Sequence, residues 1–335
     1  NPPFGHSGED AIRHWFEQES LGQKLLEPLT EQQQNDLLLF EGNAQGFRIL
    51  TRLQSPDNPG LRLTHAVLAA FSKYPGSSCR GPGRNGISGK KHGFFAAEEP
   101  FFIEIAEATG LRERIPGAAW YRHPLAFLVE AADDISYHII DFEDGFRQGC
   151  IDYRTAVDHL SALIDRDVTD RLEGIAEPKR RIEYLRAAGI GSLVNATADV
   201  FLDHEEAILN GEFDRELIGE IPQAGALESI KRFAISHIYT ARPVVEIEAA
   251  GFEVLGGLLN VFAGAADEVA TRQKPSRRAE KLLELIPAQF LGQARQPVAD
   301  PYQRLLGITD FITGMTDTFA VATFRKVRGI SLPHA

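Results

Sequence analysis

The sequence predicts an all-α fold, and three observations support this prediction. Apolar residues recur every three or four positions through most of the chain, which is the spacing of one face of a helix. Alternation typical of strands is scarce, and the breaks that contain Gly and Pro are short. The 335 residues are 43% hydrophobic, enough for a sizeable core. Because no internal repeat or clear domain boundary is visible, we predict a single helical domain over residues 1–335.

The first predicted helices have recognisable start signals. Residues 7–10, with Ser at the first position and Asp at the last, have the form of a capping box and predict a helix start near Ser7. Thr30 is the predicted cap of a second helix that runs to about Leu53, and a third covers 61–74. Residues 76–93 are rich in Gly, Ser, Lys and Arg, so we predict a loop there.

The longest predicted helix in the middle of the chain covers 124–147. Pro124 suits its first turn, and Gly149 follows its end. The other predicted helical ranges are 98–109, 151–165, 176–188, 196–209, 225–240, 242–263, 276–286 and 301–327.

Charge and cysteine content exclude several classes of protein. The formal net charge of −12 argues against broad, nonspecific attraction to nucleic acid or to an anionic membrane. Cys79 and Cys150 are too few for a disulfide framework and lack the spacing of a thiolate metal site. With no uninterrupted apolar run of about 18 residues and no visible signal peptide, we predict a cytoplasmic protein without a membrane partner.

Acidic residues form a stripe on the helix predicted at 124–147. Apolar residues occupy most of the remaining circumference, which predicts that this helix is buried on several sides. A buried acidic stripe would need a metal ion, a cationic side chain or substrate hydroxyl groups as its partner. The alternative is an acidic face exposed to solvent. The stripe consists of Glu130, Asp133, Asp134, Tyr137, Asp141 and Asp144.

A second polar set lies in the helix predicted at 30–53. Glu41, Gln45 and Arg48 are spaced i, i+4 and i+7, and Asn43 lies beside them. Either this is an exposed face with a helical salt bridge, or amide groups and a guanidinium there bind a phosphorylated ligand.

Basic residues surround the predicted loop at 76–93. They are either solvated side chains or part of a flexible loop that closes over a triphosphate. A Walker-type phosphate loop is absent from the sequence. The basic residues are Lys73, Arg80, Arg84, Lys90 and Lys91.

Four motifs, in this order, resemble those of the HD-domain dGTP/dNTP triphosphohydrolases in their bacterial dGTPase-like branch. They are N-P-P-F-G-H-S-G-E at 1–9, E-G-N-A-Q-G-F-R at 41–48, E-A-A-D-D-I-S-Y at 130–137 and G-M-T-D at 314–317. The resemblance implies an HD-type multi-helix bundle that hydrolyses a dNTP, with dGTP among the expected substrates, to the deoxynucleoside and inorganic triphosphate. It also implies a divalent metal, Mg²⁺ or Mn²⁺.

The resemblance also implies roles for individual residues. Asp133 matches a metal ligand, and His6 and Glu9 match the catalytic pair beside the metal. Tyr137 and Asp141 match residues that pack on the deoxyribose and bind its 3′-OH. The expected lining of the nucleotide pocket is Asn43, Gln45 and Arg48, and the expected triphosphate contacts are Lys73, Lys91 and, less directly, Arg304.

The chain departs from the family pattern at its start. The first motif is normally preceded by H-D-x-G, with another His further upstream, so three of the four expected metal ligands are predicted to lie before Asn1. His65 follows the second motif instead of preceding it, and residues 158–159 reverse the His-Asp order. The family resemblance further implies a homo-oligomer, often a hexamer. Two other functions stay open: an HD phosphohydrolase for another nucleotide, or a non-catalytic protein that binds nucleotides or single-stranded DNA.

Overall fold

A computed structural model of the chain describes residues 2–53, 60–79 and 86–331. The predicted all-α class is confirmed: within these ranges the only strands are β1 (Glu113–Ile115) and β2 (Ala119–Trp120), which pair antiparallel. The helices of the N-terminal part are α1 (Gly5–Gln18), α2 (Ser20–Leu26), α3 (Glu31–Leu38), α4 (Gly42–Arg48), α5 (His65–Phe71) and α6 (Glu99–Thr109). Those that follow are α7 (Pro124–Arg147), α8 (Tyr153–Ser161), α9 (Thr169–Glu173), α10 (Pro178–Asp203), α11 (Glu205–Leu209), α12 (Ala224–His237), α13 (Arg242–Thr271), α14 (Arg277–Glu284), α15 (Pro301–Thr313) and α16 (Asp317–Val327).

Two compact units make up the described chain, while the single-domain organisation stays a prediction. The first unit is formed by residues 1–84, 89–120 and 247–335, and the second by residues 85–88 and 121–246. The largest core of the first unit gathers apolar side chains of α1, α13 and α15, among them Trp15, Phe262 and Ile312. In the second unit, α7, α8, α10 and α12 enclose a separate core.

Several predicted helix boundaries are wrong, and each error has a local reason. Ser7 is not a cap, because α1 already begins at Gly5 after Phe4. The helix predicted over 30–53 is broken at residues 39–41, although Thr30 does form the predicted cap, in a capping box with Gln33. In the C-terminal helix, Thr316 caps a new start, so 301–327 is two helices.

Two predicted helices, 176–188 and 196–209, are instead mostly one. Helix α10 continues through Gly189 to Asp203, and α11 follows it. The α10 helix packs along α7 and α8, and Gly189 is buried against Leu163. This packing outweighs the weak helix propensity of glycine.

The long helix α7 has the predicted bounds, including Pro124 in its first turn. Of the two interpretations of its acidic stripe, buried or exposed to solvent, most of its members do not fit the buried one. Asp133 and Asp144 are exposed, and 46% of the surface of Tyr137 is exposed to solvent. Apolar residues on this side are exposed too, including Leu125 and Ile140, so apolar composition around the stripe did not guarantee burial.

One described helix would be long and apolar enough to cross a membrane by length and composition alone. It lies at Val244–Thr271, where an 18-residue window has a mean hydropathy of 1.4 and is 56% buried. Its side chains Leu255, Leu258 and Phe262 are fully buried in the core of the first unit. Core packing therefore accounts for its apolar composition.

Candidate functional site

Four side chains meet around the carboxylate of Glu41 in the first unit, and three of them belong to predicted site residues: Glu9, Asn43 and Lys91. Lys91 Nζ lies 3.0 Å from Glu41 Oε1, and Asn43 Nδ2 donates to the same oxygen at 2.8 Å. Arg13 NH2 lies 3.4 Å from both Glu41 Oε2 and Glu9 Oε2. We call this set of five, Glu9, Arg13, Glu41, Asn43 and Lys91, the Glu41 cluster.

The Glu41 cluster brings two buried carboxyl groups close together. Burial raises the pKa of Glu9 above its ordinary value, and the negative charge of Glu41 raises it further. Lys91, His6 and Arg13 oppose this shift, so His6 is close enough to act on Glu9 electrostatically. His6 itself is exposed, one turn before Glu9 on α1. An exposed imidazole beside a carboxyl group with a raised pKa is suited to proton transfer.

The short distance between the first motif loop and α1 depends on glycine. A Cβ atom at Gly8 would lie 2.0 Å from the carbonyl oxygen of Pro3. Only glycine therefore lets the loop at residues 2–4 lie directly against the turn that carries His6 and Glu9.

Gln45 and Arg48 lie in a different environment from Glu41. Arg48 Nε donates to Asp310 Oδ1 and Oδ2 at 2.9 Å each, and Arg48 NH1 donates to Glu98. Gln45 Nε2 donates to Asp310 Oδ1 at 2.9 Å. All four side chains are buried. The predicted contact of Gln45 and Arg48 with a nucleotide stays a prediction, and their described partners belong to the protein.

The helical spacing that predicted one polar face is interrupted at its first member. Glu41 precedes α4 in an extended conformation, with φ −135° and ψ 126°. Its side chain therefore joins the Glu41 cluster, whereas Gln45 and Arg48 point to Asp310.

The other predicted cationic contacts are distributed over the first unit. Arg304 NH2 lies 3.0 Å from Asp267 Oδ1, and Arg304 NH1 donates to the carbonyl oxygens of residues 298 and 299. Lys73 is half-buried. Arg80 and Arg84 lie outside the described residues. The roles of Lys73, Lys91 and Arg304 in triphosphate binding stay predictions.

In the second unit, the predicted sugar-binding pair contacts a tyrosine that sequence reasoning missed. The hydroxyl of Tyr239 donates to Asp141 Oδ2 at 2.8 Å, and the rings of Tyr137 and Tyr239 are 6.1 Å apart. Burial, together with hydrogen bonds to Tyr137 and Asp141, raises the pKa of Tyr239. Tyr239 is 98 residues from Asp141 in the chain, so no local pattern could have indicated it.

Ion pairs account for the one buried member of the acidic stripe. Glu130 accepts hydrogen bonds from both terminal nitrogens of Arg122, one of them at 3.0 Å. A cationic side chain is one of the partners that the sequence left open for a buried acid. The pairing explains Glu130 without a metal ion or a substrate.

The described residues do not by themselves form a metal site. Within 2–53, 60–79 and 86–331, no group of three or more His, Cys, Asp or Glu side chains is placed to hold a metal ion. Asp133 offers one carboxylate on the exposed side of α7. A single carboxylate leaves most of the coordination shell of a divalent cation to other ligands, since Mg²⁺ takes six oxygen ligands.

Comparison with known proteins identifies relatives along almost the whole chain. A protein of Synechocystis sp. named deoxyguanosinetriphosphate triphosphohydrolase-like protein is 42% identical over 99% of this chain and 75% of its own length. Proteins of the same name from Pseudomonas aeruginosa and Listeria monocytogenes are 36% and 34% identical over the same shares. The chain belongs to the deoxyguanosinetriphosphate triphosphohydrolase-like family.

A second comparison matches the C-terminal part of this family member. A family model described as phosphohydrolase-associated domain matches residues 222–326. This range begins just before α12 and ends within α16, so it includes Tyr239 and the G-M-T-D motif. The chain spans three quarters of the length of the curated relatives named above.

Proposed function

We propose that this protein hydrolyses a deoxynucleoside triphosphate, with dGTP among its substrates, to the deoxynucleoside and inorganic triphosphate. The observation that carries the proposal is the Glu41 cluster, in which Glu9 and its cationic neighbours lie beside His6. The cluster lies in a chain that is 42% identical, over 99% of its length, to a protein named deoxyguanosinetriphosphate triphosphohydrolase-like protein.

His6 and Glu9 are the proposed proton-transfer pair. An imidazole can both accept and donate a proton, so His6 is suited to give a proton to the leaving oxygen of the cleaved ester. Burial and Glu41 raise the pKa of Glu9, so this carboxyl group holds its proton to a higher pH than an ordinary glutamate. Glu9 can therefore share a proton with its neighbours or orient His6.

Lys91 and Asn43 are the proposed nucleotide contacts nearest to this pair. Both now bind Glu41 Oε1, at 3.0 and 2.8 Å. Lys91 is partly exposed, so its ammonium group is accessible to a phosphate as well as to Glu41.

Tyr137, Asp141 and Tyr239 are the proposed selectors of the sugar. A tyrosine ring packed on the deoxyribose leaves no room for a 2′-OH, and a carboxylate accepts a hydrogen bond from the 3′-OH. The Tyr239 hydroxyl already donates to Asp141 Oδ2, which holds that carboxylate in one orientation. The other oxygen atom of Asp141, Oδ1, can then accept the hydrogen bond from the 3′-OH of the sugar.

A divalent cation, Mg²⁺ or Mn²⁺, is part of the proposal as a general requirement of the family. When bound, such a cation stabilises the negative charge that develops on phosphate oxygens. Asp133 is the proposed ligand from this chain, and we derive no step through the cation because the described residues do not complete its coordination.

The test is a substrate panel with the full-length protein and either Mg²⁺ or Mn²⁺. We expect release of inorganic triphosphate from dNTPs and little turnover of NTPs or monophosphates. Equal rates with NTPs would favour an HD phosphohydrolase for another nucleotide. Binding of nucleotide or single-stranded DNA without turnover of any substrate would favour a non-catalytic protein.

A pair of variants on α7 tests the metal assignment. Asp133→Ala should abolish metal-dependent turnover and leave the circular dichroism of the protein helical. Asp144→Ala is the matched control, because it removes another exposed carboxylate of the same helix and should leave turnover unchanged. Turnover that survives in Asp133→Ala would contradict the assignment.

Location and assembly complete the proposal. We propose a cytoplasmic homo-oligomer, and the resemblance to the family implies a hexamer as the assembly to test. Large apolar side chains on the surface of one chain support an interface between copies: Leu202 and Leu209 are 64% and 58% exposed. Analytical ultracentrifugation of the full-length protein would measure its size, and a monomer at micromolar concentration would contradict this part.

A further inference from the structure

The G-M-T-D motif at 314–317 has no role in the function proposed above, but the structure connects it to the first motif. The backbone N–H of Phe4 donates to Asp317 Oδ1 at 3.0 Å, across 313 residues of sequence. Asp317 is the first residue of α16, and Phe4 is the residue that precedes α1. One carboxylate therefore joins the starts of two helices.

The conformation of Phe4 is one that needs such support. Phe4 has φ 65° and ψ 17°, and Gly5 also has a positive φ of 62°. A bulky residue rarely adopts this left-handed conformation, because its Cβ comes too close to backbone atoms. The residue before a helix usually caps it with a side-chain oxygen, and Phe4 offers none. The Phe4 N–H donates to Asp317 Oδ1, and this hydrogen bond holds the backbone in place at this point.

The loop that Asp317 holds is in direct contact with the turn that carries His6 and Glu9. The carbonyl oxygen of Pro3 lies against Gly8, with no room for a Cβ atom between them. On its other side, the ring of Phe4 lies against Gly251 of α13, where a Cβ atom would be 3.1 Å from the ring. A rotation of Phe4 would therefore displace the first turn of α1.

We infer that Asp317 is a positioning residue: it holds Phe4 in the left-handed conformation and so sets the place of His6 and Glu9. This inference rests on the proposed function for the roles of His6 and Glu9. Asp317 acts through the loop, since its described bond is to the Phe4 amide and not to a catalytic group.

Three variants in the full-length protein test the inference. Asp317→Ala removes the acceptor, whereas Asp317→Asn keeps an oxygen that can accept from the Phe4 N–H. Thr316→Ala is the matched control: Thr316 Oγ1 accepts from the N–H of Phe319, so this change removes the cap of α16 and spares the bond to Phe4.

Two measurements report on the inference separately. The first is hydrogen exchange at the Phe4 amide, followed in a peptide that spans it, where Pro2 and Pro3 contribute no backbone N–H. The second is the steady-state rate with dGTP. For Asp317→Ala we expect faster exchange at Phe4 and a kcat about 10- to 100-fold lower, with KM changed less than about threefold, because a small misplacement of catalytic groups mainly slows the chemical step.

The control variants decide between positioning and simple stability. Asp317→Asn should keep kcat within about threefold of the wild type. Thr316→Ala should lower the urea midpoint of unfolding and leave both Phe4 exchange and kcat unchanged. A wild-type kcat in Asp317→Ala, or an equal loss in Thr316→Ala, would overturn the inference. If the wild-type protein hydrolyses no dNTP, the proposed function fails, and unchanged Phe4 exchange in Asp317→Ala would still refute the positioning separately.

Discussion

Replacing Arg48 with methionine should destabilise the first unit, because the guanidinium compensates two buried carboxylates. Burial opposes the charge of Arg48, but Asp310 and Glu98 outweigh it and raise its pKa. Arg48→Met fills much of the same volume and leaves Asp310 without a cation among its described partners, while Glu98 keeps Arg52, whose Nε lies 3.0 Å away.

The expected loss follows from this difference between the two carboxylates. Removal of one partner from a buried ion pair costs about 3–5 kcal/mol. Since Arg52 still compensates Glu98, and Gln45 still donates to Asp310, we expect the lower end, ~3 kcal/mol in the free energy of unfolding. Arg48→Lys should recover only part of it, because an ammonium group cannot bind both oxygens of Asp310 as the planar guanidinium does.

Urea unfolding, followed by circular dichroism, is the measurement, with Arg52→Ala as the matched control. Arg52 pairs with the same Glu98 but is half exposed, so its loss should cost less than about 1 kcal/mol. An unfolding free energy of Arg48→Met within about 1 kcal/mol of the wild type would refute the reasoning. Unchanged stability together with a raised KM for dGTP would instead favour the predicted substrate contact.

Three further predictions concern other residues. Burial raises the pKa of Asp36 to about 6, above the 3.8 of an ordinary aspartate, so the folded state holds this proton more tightly and loses stability as the pH rises from about 4 to 6. Asp36→Asn should remove about 2 kcal/mol of that pH dependence, measured as the difference in unfolding free energy between pH 4 and pH 7 in urea. His6→Ala should lower kcat and preserve nucleotide affinity in calorimetry, and a parallel loss of affinity would contradict a role in proton transfer. Tyr137→Ala should narrow the ratio of kcat/KM for dGTP over GTP, and an unchanged ratio would exclude Tyr137 as the sugar selector.

Sequence patterns predicted local features of this fold well. The bounds of α7, the cap at Thr30 and the scarcity of strands depend on spacing and on residue type within a few positions. The continuous α10 was not predictable in this way, because it depends on the packing of α10 along α7 and α8, which buries Gly189 against Leu163. The break before α4 was not predictable for a similar reason. There Glu41 pairs with Arg13 and Lys91, which are distant from it in the chain.

For the candidate site, too, local features were predicted from the sequence, whereas contacts between distant residues were not. The motifs indicated which residue types to examine, but partners such as Tyr239 for Asp141 come from segments about a hundred residues away. Arg13 is the exception: it lies four residues after Glu9, and this spacing alone predicts a helical ion pair. The sequence left the exposure of the acidic side of α7 open, because a local apolar pattern does not say how many sides of a helix other helices cover.

The second motif shows how eight residues divide between a candidate site and its support. Glu41 and Asn43 take part in the Glu41 cluster, whereas Gln45 and Arg48 bind Asp310 in the interior. The division arises because Glu41 is extended and α4 begins only at Gly42, so the two halves of the motif face different surroundings. Asp310 lies on α15, which is followed by Thr316 and Asp317 at the start of α16. The buried ion pairs thus fix the helix that precedes Asp317, and Asp317 in turn binds the Phe4 amide next to α1. We infer that the second and fourth motifs contribute polar residues partly to hold the first motif in place, and that the Arg48 and Asp317 variants should therefore affect His6 and Glu9 without contacting them.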